Sequence, residues 1–294
     1  TVNFSDHGPV RYVHLGTDWV QGSMWPDRPY DIHLDYVQRM MGWLLWVPPD
    51  EVVNLKAMQL GLGAGTLTKF CAHKLGMHTT AIEINPQVVA ACRLWFKLPP
   101  DSERLQVVLG DAAEVAAHSH WRAQVDVLHV DLYDHEAAAP VLDSEAFYAD
   151  CRQLLTPSGC MVVNLFGRSH SYARSLEKIS TVFGADAVWA FKPTREGNTV
   201  VMAQRTRAVP DPEALLSRSL HIEQHWGLPA SKWLRVLAPA ADIVDYSFAP
   251  DGKRVAFVAR EADFQRFAGC APKNASGSGL GSVADCQFGG ARIT

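Results

Sequence analysis

Apolar and polar positions alternate along residues 55–205 in a pattern that predicts strands and helices in regular succession. Segments with apolar residues on both faces predict five strands, at 55–60, 78–84, 104–111, 125–131 and 160–166. Segments with apolar residues at helical spacing lie after them, at 66–76, 86–96, 112–117, 144–155 and 171–184. Strands that are apolar on both faces and alternate with helices are typical of a parallel sheet covered on both sides. The pattern therefore predicts an α/β domain with a mostly parallel sheet.

The flanks of this region follow other patterns. Residues 10–25 predict two short strands around a Gly-Thr-Asp turn, and residues 34–46 predict a helix that ends before paired prolines. Residues 186–191 and 198–205 predict a hairpin that makes the last strand of the sheet antiparallel. Beyond it we expect a helix within 211–228 and a second hairpin within 245–261, turning at Asp-Gly.

These elements divide the chain into four segments. Residues 1–50 form a small N-terminal β-hairpin region with a helix, and residues 51–206 form the main α/β domain. Residues 207–266 form an extension of one helix and one hairpin. Residues 267–294 are rich in glycine and serine, and this composition is typical of a disordered tail.

Composition excludes several classes of protein. The net charge is -4 and no block of Lys or Arg occurs, so a nucleic-acid partner is not expected. No apolar run reaches the roughly 18 residues that a membrane helix requires. The six cysteines are scattered without a C-x-x-C pair, which predicts reduced thiols and a cytoplasmic protein. His118 and His120 lack further ligands at suitable spacing, so no metal is expected.

Three glycines, Gly61, Gly63 and Gly65, lie between the first predicted strand of the main domain and its helix. Glycine lets the backbone turn tightly and approach a ligand closely in front of a helix N-terminus. Glu83 lies at the tip of the second strand, where a carboxylate can accept hydrogen bonds from both hydroxyls of a ribose. The glycine loop and the acidic tip together indicate a nucleoside site.

The spacing of the glycines narrows the choice of nucleoside. The dinucleotide fingerprint is G-x-G-x-x-G, whereas Thr66 occupies the place of its third glycine here. This spacing favours ligands of the S-adenosylmethionine type, which carry no pyrophosphate, over nicotinamide dinucleotides. Asp111 follows the third strand, where its carboxylate can accept a hydrogen bond from the adenine amino group.

The fourth strand ends in Asp131, and Asp134 follows three residues later. A single carboxylate at a strand tip can be a solvated strand end. Acidic residues at three successive tips instead indicate a ligand site, because open α/β sheets bind ligands at the carboxyl ends of their strands. Tyr133, between the aspartates, is a candidate for the wall of the pocket. His129, within the strand, is expected to be a core histidine.

The order of these motifs over residues 10–205 resembles the spermidine/spermine synthase family of polyamine aminopropyltransferases. The resemblance implies a Rossmann-like, methyltransferase-type sheet preceded by a hairpin. It implies Asp131 as the catalytic base, Asp134 as a second anchor for the amine substrate, and Gln21 as the hairpin glutamine that meets the nucleoside. It places Glu83 at the ribose position, and Asp111 and Ala112 at the adenine position. The implied reaction moves an aminopropyl group from decarboxylated S-adenosylmethionine to an amine such as putrescine.

Several positions differ from the family pattern. Ala64 stands where the family has an aspartate that holds the amine of decarboxylated S-adenosylmethionine and repels the carboxylate of the intact cofactor. Gln38 and Arg39 occupy the place of a Tyr-His-Glu motif, and His135 replaces a proline. Two alternatives therefore stay open: a methyltransferase that uses intact S-adenosylmethionine, and a non-catalytic member of the fold. Four early tryptophans are expected to pack the hairpin on the helix. If they instead form an apolar surface, they favour a homodimer.

Overall fold

The computed structural model describes residues 2–16, 20–132, 142–166, 169–240, 243–248 and 255–259, the last two ranges as backbone only. Strands β1 to β3 form a small antiparallel sheet and span Val2–His7, Val10–Leu15 and Val20–Met24. Strands β4 to β8 span Lys56–Leu60, His78–Glu83, Leu105–Leu109, Val125–Val130 and Leu155–Phe166. Strands β9 to β13 span Val188–Phe191, Asn198–Gln204, Leu237–Pro239, Ile243–Phe248 and Val255–Ala259.

Eight of these strands form one central sheet in the order β11-β9-β10-β8-β7-β4-β5-β6. Strands β4 to β8 run parallel to one another, whereas β10 pairs antiparallel with both β8 and β9. The amino end of β10 therefore lies at the same edge of the sheet as the carboxyl ends of β4, β5 and β7. Strands β12 and β13 pair only with each other in the described part of the chain.

Helices lie between and around these strands. In chain order, α1 to α8 span Asp35–Arg39, Thr66–Lys69, Pro86–Trp95, Ala112–Ala117, Glu145–Leu154, Ser169–Phe183, Pro212–Trp226 and Ala230–Trp233. Helix α2 continues as a π turn over Phe70–Lys74. No helix in the described ranges is long and apolar enough to cross a membrane.

The predicted mostly parallel α/β sheet with a small N-terminal β region is confirmed. The alternating apolar pattern has a direct structural cause, since Val127 and Leu128 of β7 point to opposite faces of the sheet. Val127 packs with Met40 and Trp43 in one buried cluster, and Leu128 packs with residues such as Met161 in another. The sheet is thus buried on both sides, as its sequence pattern predicts.

Three details differ from the predictions. The small N-terminal sheet has a third strand, β1, whose side chains are mostly exposed and therefore show no apolar pattern. The predicted helix over 34–46 divides into α1 and a 3-10 turn over Gly42–Trp46. Every residue from Met40 to Leu45 is buried, so no single helix face dominates. Strand β11 joins the sheet edge with only three residues, too few to form a recognisable pattern.

The later elements agree with expectation where the structure describes them. Helix α7 begins after the cap residue Asp211 and ends at Trp226, with Gly227 as its C-cap, and β12 and β13 pair as the second hairpin. The turn of that hairpin and residues 267–294 lie outside the described residues. The division of the chain into four segments stays a prediction.

Candidate functional site

A cavity of about 920 Å³ lies at the carboxyl edge of the central sheet. It is bordered by the glycine loop after β4, by the tips of β5 and β7, by the start of α4, and by parts of β2, β3 and α1. Binding at this edge is the general behaviour of open α/β sheets. The cavity brings together seven of the predicted site residues, namely Gln21, Gly61, Gly63, Glu83, Asp111, Ala112 and Asp131.

Glu83 ends β5 and fixes the shape of the glycine loop. Its Oε2 accepts a hydrogen bond of 2.9 Å from the backbone N–H of Leu62, and its Oε1 accepts one of 2.9 Å from the backbone N–H of Asn85. A carboxylate oxygen can accept more than one hydrogen bond, so each oxygen keeps capacity toward the cavity. The carboxylate is therefore held in place and still able to accept hydrogen bonds from ribose hydroxyls.

Asp111 and Ala112 border the cavity next to Glu83. The Asp111 carboxylate caps α4 by accepting hydrogen bonds from the backbone N–H groups of Ala113 and Glu114, at 2.7 and 3.3 Å through the same oxygen, Oδ1. Helix capping is thus one role of Asp111. Its Oδ2 can accept a hydrogen bond from a ligand, so Asp111 can cap the helix and also contact an adenine.

Asp131 lies directly after β7 and is held from two sides. Asn164 Nδ2 donates to Asp131 Oδ1 at 2.9 Å, and the Tyr36 hydroxyl donates to Oδ2 at 3.4 Å. Burial raises the pKa of the Asp131 carboxyl above its usual range, while the two hydrogen bonds act in the opposite direction. An oriented carboxylate whose pKa is raised is well suited to accept a proton.

A chain of amides continues from Asp131 into the last strands of the sheet. Asn198 Nδ2 donates to Asn164 Oδ1 at 3.1 Å, so the Asn164 side chain is fixed with its N–H group toward Asp131. Both asparagines are buried and border the cavity. Asn198 begins β10, and the antiparallel direction of that strand brings it to this edge of the sheet.

The small sheet packs directly on the glycine loop. A β-carbon on Gly22 would stand 2.7 Å from the β-carbon of Ala64, and the Ala64 side chain is 2% exposed. Ala64 packs in one cluster with Val13, Met24 and Phe96. It therefore faces the small sheet, and it is absent from the residues that border the cavity.

Among the predicted site residues that the structure describes, Gly65 is the one that does not border the cavity. Gly65 precedes α2 in a left-handed conformation and packs near Leu98. Its role is to start the helix, while Gly61 and Gly63 form the wall. Tyr133 and Asp134 lie outside the described residues, so their predicted roles stay predictions.

His129, two residues before Asp131, is buried, and burial lowers the pKa of its imidazole to about 4. The prediction of a core histidine is confirmed. The described cysteines, Cys71, Cys92, Cys151 and Cys160, are unpaired thiols. Within the described part of the chain, no three His, Cys, Asp or Glu side chains are grouped to hold a metal ion.

Several polar residues of the cavity wall were not predicted from the sequence, among them Asp35, Tyr36, Asn164, Glu196 and Asn198. A signal existed for the two asparagines. Asn164 is the only strongly polar side chain in its predicted strand and lies near the carboxyl end, and Asn198 lies at the start of an antiparallel strand. Both positions belong to the ligand edge of such a sheet.

Comparison with known proteins identifies the family. The model of the spermine/spermidine synthase domain matches residues 52–208. The polyamine aminopropyltransferase of Chromobacterium violaceum is 32% identical over 80% of this chain and 88% of the relative. The enzyme of the same name from Neisseria meningitidis serogroup A is 33% identical over 79% of this chain and 87% of the relative.

Solved structures show the same fold. A probable spermidine synthase from Corynebacterium glutamicum matches with a TM-score of 0.63 at 15% identity, covering 96% of this chain and 95% of that one. Human methyltransferase-like protein 13, in complex with SAH, matches with a TM-score of 0.57 at 22% identity, covering 66% of this chain and 92% of that one. With the domain match covering more than half of its length, the chain belongs to the spermine/spermidine synthase family.

Proposed function

We propose that this protein is a transferase that moves an aminopropyl group from decarboxylated S-adenosylmethionine to an amine such as putrescine, with Asp131 as the base. The observation that carries the proposal is the position of Asp131. Its carboxylate is oriented by Asn164 and Tyr36 and borders the same cavity as the glycine loop and Glu83. Relatives named polyamine aminopropyltransferase support the choice of reaction.

The nucleoside of the donor lies, in this proposal, between the small sheet and the first half of the central sheet. Glu83 accepts the ribose hydroxyls, Asp111 and Ala112 meet the adenine, and Gln21 covers the nucleoside from β3. Gly61 and Gly63 allow the donor to approach the backbone, and Gly65 starts the helix behind them. Tyr133 and Asp134 complete the acceptor side as pocket wall and second anchor.

The chemistry requires one free amine. A polyamine is protonated at neutral pH, so its nitrogen has no lone pair with which to attack until it loses a proton. Asp131 holds the cation and takes that proton. The nitrogen then attacks the carbon beside the sulfonium, the new C–N bond forms, and the C–S bond breaks with its electron pair going to sulfur. Methylthioadenosine leaves, and positioning of the two substrates supplies much of the rate.

We place the reaction in the cytoplasm. Cys71, Cys92, Cys151 and Cys160 are all unpaired, which is the usual state of thiols in a reducing compartment. The acceptor in this proposal is a free small molecule rather than a macromolecule. Self-association as a homodimer stays a prediction.

Ala64 favours a second candidate function, methyl transfer from intact S-adenosylmethionine. The family's aspartate at this position repels the carboxylate of the intact cofactor, whereas Ala64, buried away from the cavity, supplies no such charge. The two donors differ only by that carboxylate, so a direct comparison of their binding separates the two reactions.

The deciding experiment titrates the purified protein with both donors in a calorimeter and then assays transfer to putrescine. We expect tighter binding of the decarboxylated donor, formation of spermidine and release of methylthioadenosine. Tighter binding of the intact cofactor, with methyl transfer and no spermidine, would replace the proposal with the methyltransferase.

Asp131→Asn tests the base. We expect kcat to fall about 10²- to 10⁴-fold, the usual contribution of a positioned general base, with donor binding retained. The matched control is Asp186→Asn, because Asp186 is exposed and precedes β9 at the opposite edge of the sheet. An Asp131→Asn variant as active as this control would remove Asp131 from the mechanism.

A further inference from the structure

The wall of the cavity carries an unusual balance of charge. Five carboxylates border it, from Asp35, Glu83, Asp111, Asp131 and Glu196. No lysine or arginine is among the described residues that border it. Such a wall favours cations, but four of these carboxylates already have partners within the protein.

The partners differ in kind. Glu83 and Asp111 accept backbone N–H groups, and Asp131 accepts Asn164 and Tyr36. Asp35 pairs with Arg39 at 2.7 Å. Glu196 is the exception, because its carboxylate has no hydrogen bond or ion pair with any residue that the structure describes, and it is exposed.

The backbone of the turn that carries Glu196 is nevertheless fixed by hydrogen bonds. The backbone N–H of Thr194 donates to the carbonyl of Asn198 at 2.8 Å, and that of Gly197 donates to the carbonyl of Thr194 at 3.2 Å. Arg39 of α1 also donates to the carbonyl of Lys192, just before the turn. Glu196 is thus an exposed carboxylate on a fixed backbone.

The same turn is coupled to Asp131. Asn198 closes it and donates to Asn164, which donates to Asp131. One residue, Gly197, separates Glu196 from Asn198, so their α-carbons cannot be more than about 7 Å apart. Glu196 therefore borders the cavity at a fixed position relative to the carboxylate that takes the proton.

We infer that Glu196, in addition to the predicted anchor Asp134, is a specificity-determining residue that binds the second, non-reacting ammonium group of a diamine or longer polyamine acceptor. The inference rests on the proposed aminopropyl transfer. Asp131 holds the nitrogen that reacts, and a diamine carries its second cation several bonds away. An unpaired carboxylate on the wall of the same cavity can neutralise that cation without losing an existing partner.

The test compares two acceptors, putrescine and n-butylamine, which have the same carbon chain and differ by one ammonium group. Glu196→Gln keeps the shape of the side chain and removes its charge. We expect KM for putrescine to rise about fivefold, the effect of one partly exposed ion pair, with kcat retained. KM for n-butylamine and for the donor should stay unchanged. Glu196→Asp keeps the negative charge, so its KM for putrescine should lie close to that of the unaltered enzyme.

The matched control is Glu103→Gln, since Glu103 is exposed and precedes β6 at the opposite edge of the sheet. If Glu196→Gln changes both acceptors equally, or neither, the inference is wrong while aminopropyl transfer stands. If the unaltered enzyme transfers to neither acceptor, the proposed function itself is wrong. The two failures are therefore distinguishable within one set of assays.

Discussion

Gly61 lies in direct contact with the backbone carbonyl of Asp131. Its φ is +85°, and a β-carbon at this position would overlap that carbonyl oxygen. The same segment is fixed by the N–H of Asp131, which donates to the carbonyl of Leu60 at 3.0 Å. The glycine loop and the proposed base therefore share one close backbone contact, which only glycine permits.

Gly61→Ala should damage stability and catalysis together. The substituted residue must adopt a left-handed conformation and displace the Asp131 backbone, so we expect the free energy of unfolding to fall by about 1–3 kcal/mol. We expect kcat to fall at least tenfold, because a small displacement of a catalytic group is costly. Urea unfolding and steady-state kinetics measure the two effects.

The control for this variant is Gly227→Ala. Gly227 has a φ of +70°, and no atom lies within 4 Å of the position that an added methyl group would take. This variant therefore isolates the conformational cost from the clash. A Gly61→Ala variant no less stable than Gly227→Ala, with full activity, would contradict the close contact.

Asn164→Leu should shift the pH profile of the reaction. Asn164 donates to Asp131, and this hydrogen bond lowers the pKa of a carboxyl that burial raises. Its removal raises the pKa of Asp131 further, so the acidic limb of kcat/KM should move to higher pH. Asn198→Leu, one step further along the amide chain, should move the limb in the same direction by less.

The two asparagine variants form a graded series that a general loss of stability would not produce. Activities are compared well below the unfolding transition of each variant, because the loss of a buried hydrogen bond costs about 1–3 kcal/mol. An acidic limb that stays in place in both variants would show that the amide chain does not influence the base.

Asp131→Asn should stabilise the protein at neutral pH although it lowers the activity strongly. The pKa of Asp131 is raised in the folded state, so the folded protein binds this proton more tightly than the unfolded chain does. The charged carboxylate therefore costs stability above the folded pKa, and this cost disappears as the pH falls below the unfolded value. The variant should gain stability over the original protein at pH 7 and lose that gain toward pH 4, as measured by urea unfolding. An equal difference at both pH values would contradict this linkage.

Ala64→Asp should not simply restore the family's aspartate. The side chain at this position is buried against Gly22 among Val13, Met24 and Phe96, so the substitution buries a carboxylate in an apolar cluster. We expect a loss of more than about 2 kcal/mol in the free energy of unfolding. Ala90→Asp, on the exposed face of α3, is the control. An Ala64→Asp variant of unchanged stability, with improved binding of the decarboxylated donor, would show that the side chain reaches the cavity.

Lys69→Met tests a second buried charge, beneath the glycine loop. Lys69 Nζ donates to the carbonyl of Phe96 at 2.6 Å, and burial lowers the pKa of its ammonium group to about 8. Between pH 8 and 10.5 the unfolded chain binds this proton more tightly than the folded protein, so stability should rise with pH by at most about 1.4 kcal/mol per unit. Lys69→Met should remove that slope, and Lys56→Met, at an exposed position, is the control. A slope that persists in Lys69→Met would assign it to other groups.

The sequence was most informative where the determinants are local. Short segments of sequence were enough to predict the strands with apolar residues on both faces, the glycine loop and Glu83 at a strand tip. The structure places these features as predicted. The hydrogen-bond partners of Asp131 could not be predicted in this way, because Tyr36 and Asn164 lie 95 and 33 residues away in the sequence. Their approach depends on the order of strands in the sheet, which periodicity does not specify.

The same limit applies to the burial of Ala64 and to Glu196. Ala64 is covered by a separate small sheet, and no local pattern indicates which loop that sheet contacts. Glu196 lies in a polar turn whose composition is typical of any exposed connection. Its place on the cavity wall follows from the reversed direction of β10, a property of the assembled sheet.

Strand β10 lies between β8 and β9 in the sheet but comes late in the chain, so the parts of the site are synthesised one after another. The groups proposed to hold the nucleoside come mainly from residues 61–112, whereas Asp131 receives its oriented amide from Asn164 and, through it, from Asn198. Chains emerge from the ribosome amino end first, so the donor pocket is synthesised well before the strand that completes the base. A nascent chain that has passed residue 164 but not yet reached residue 198 thus contains the proposed elements for binding a donor but lacks the residue that fixes the Asn164 amide toward Asp131.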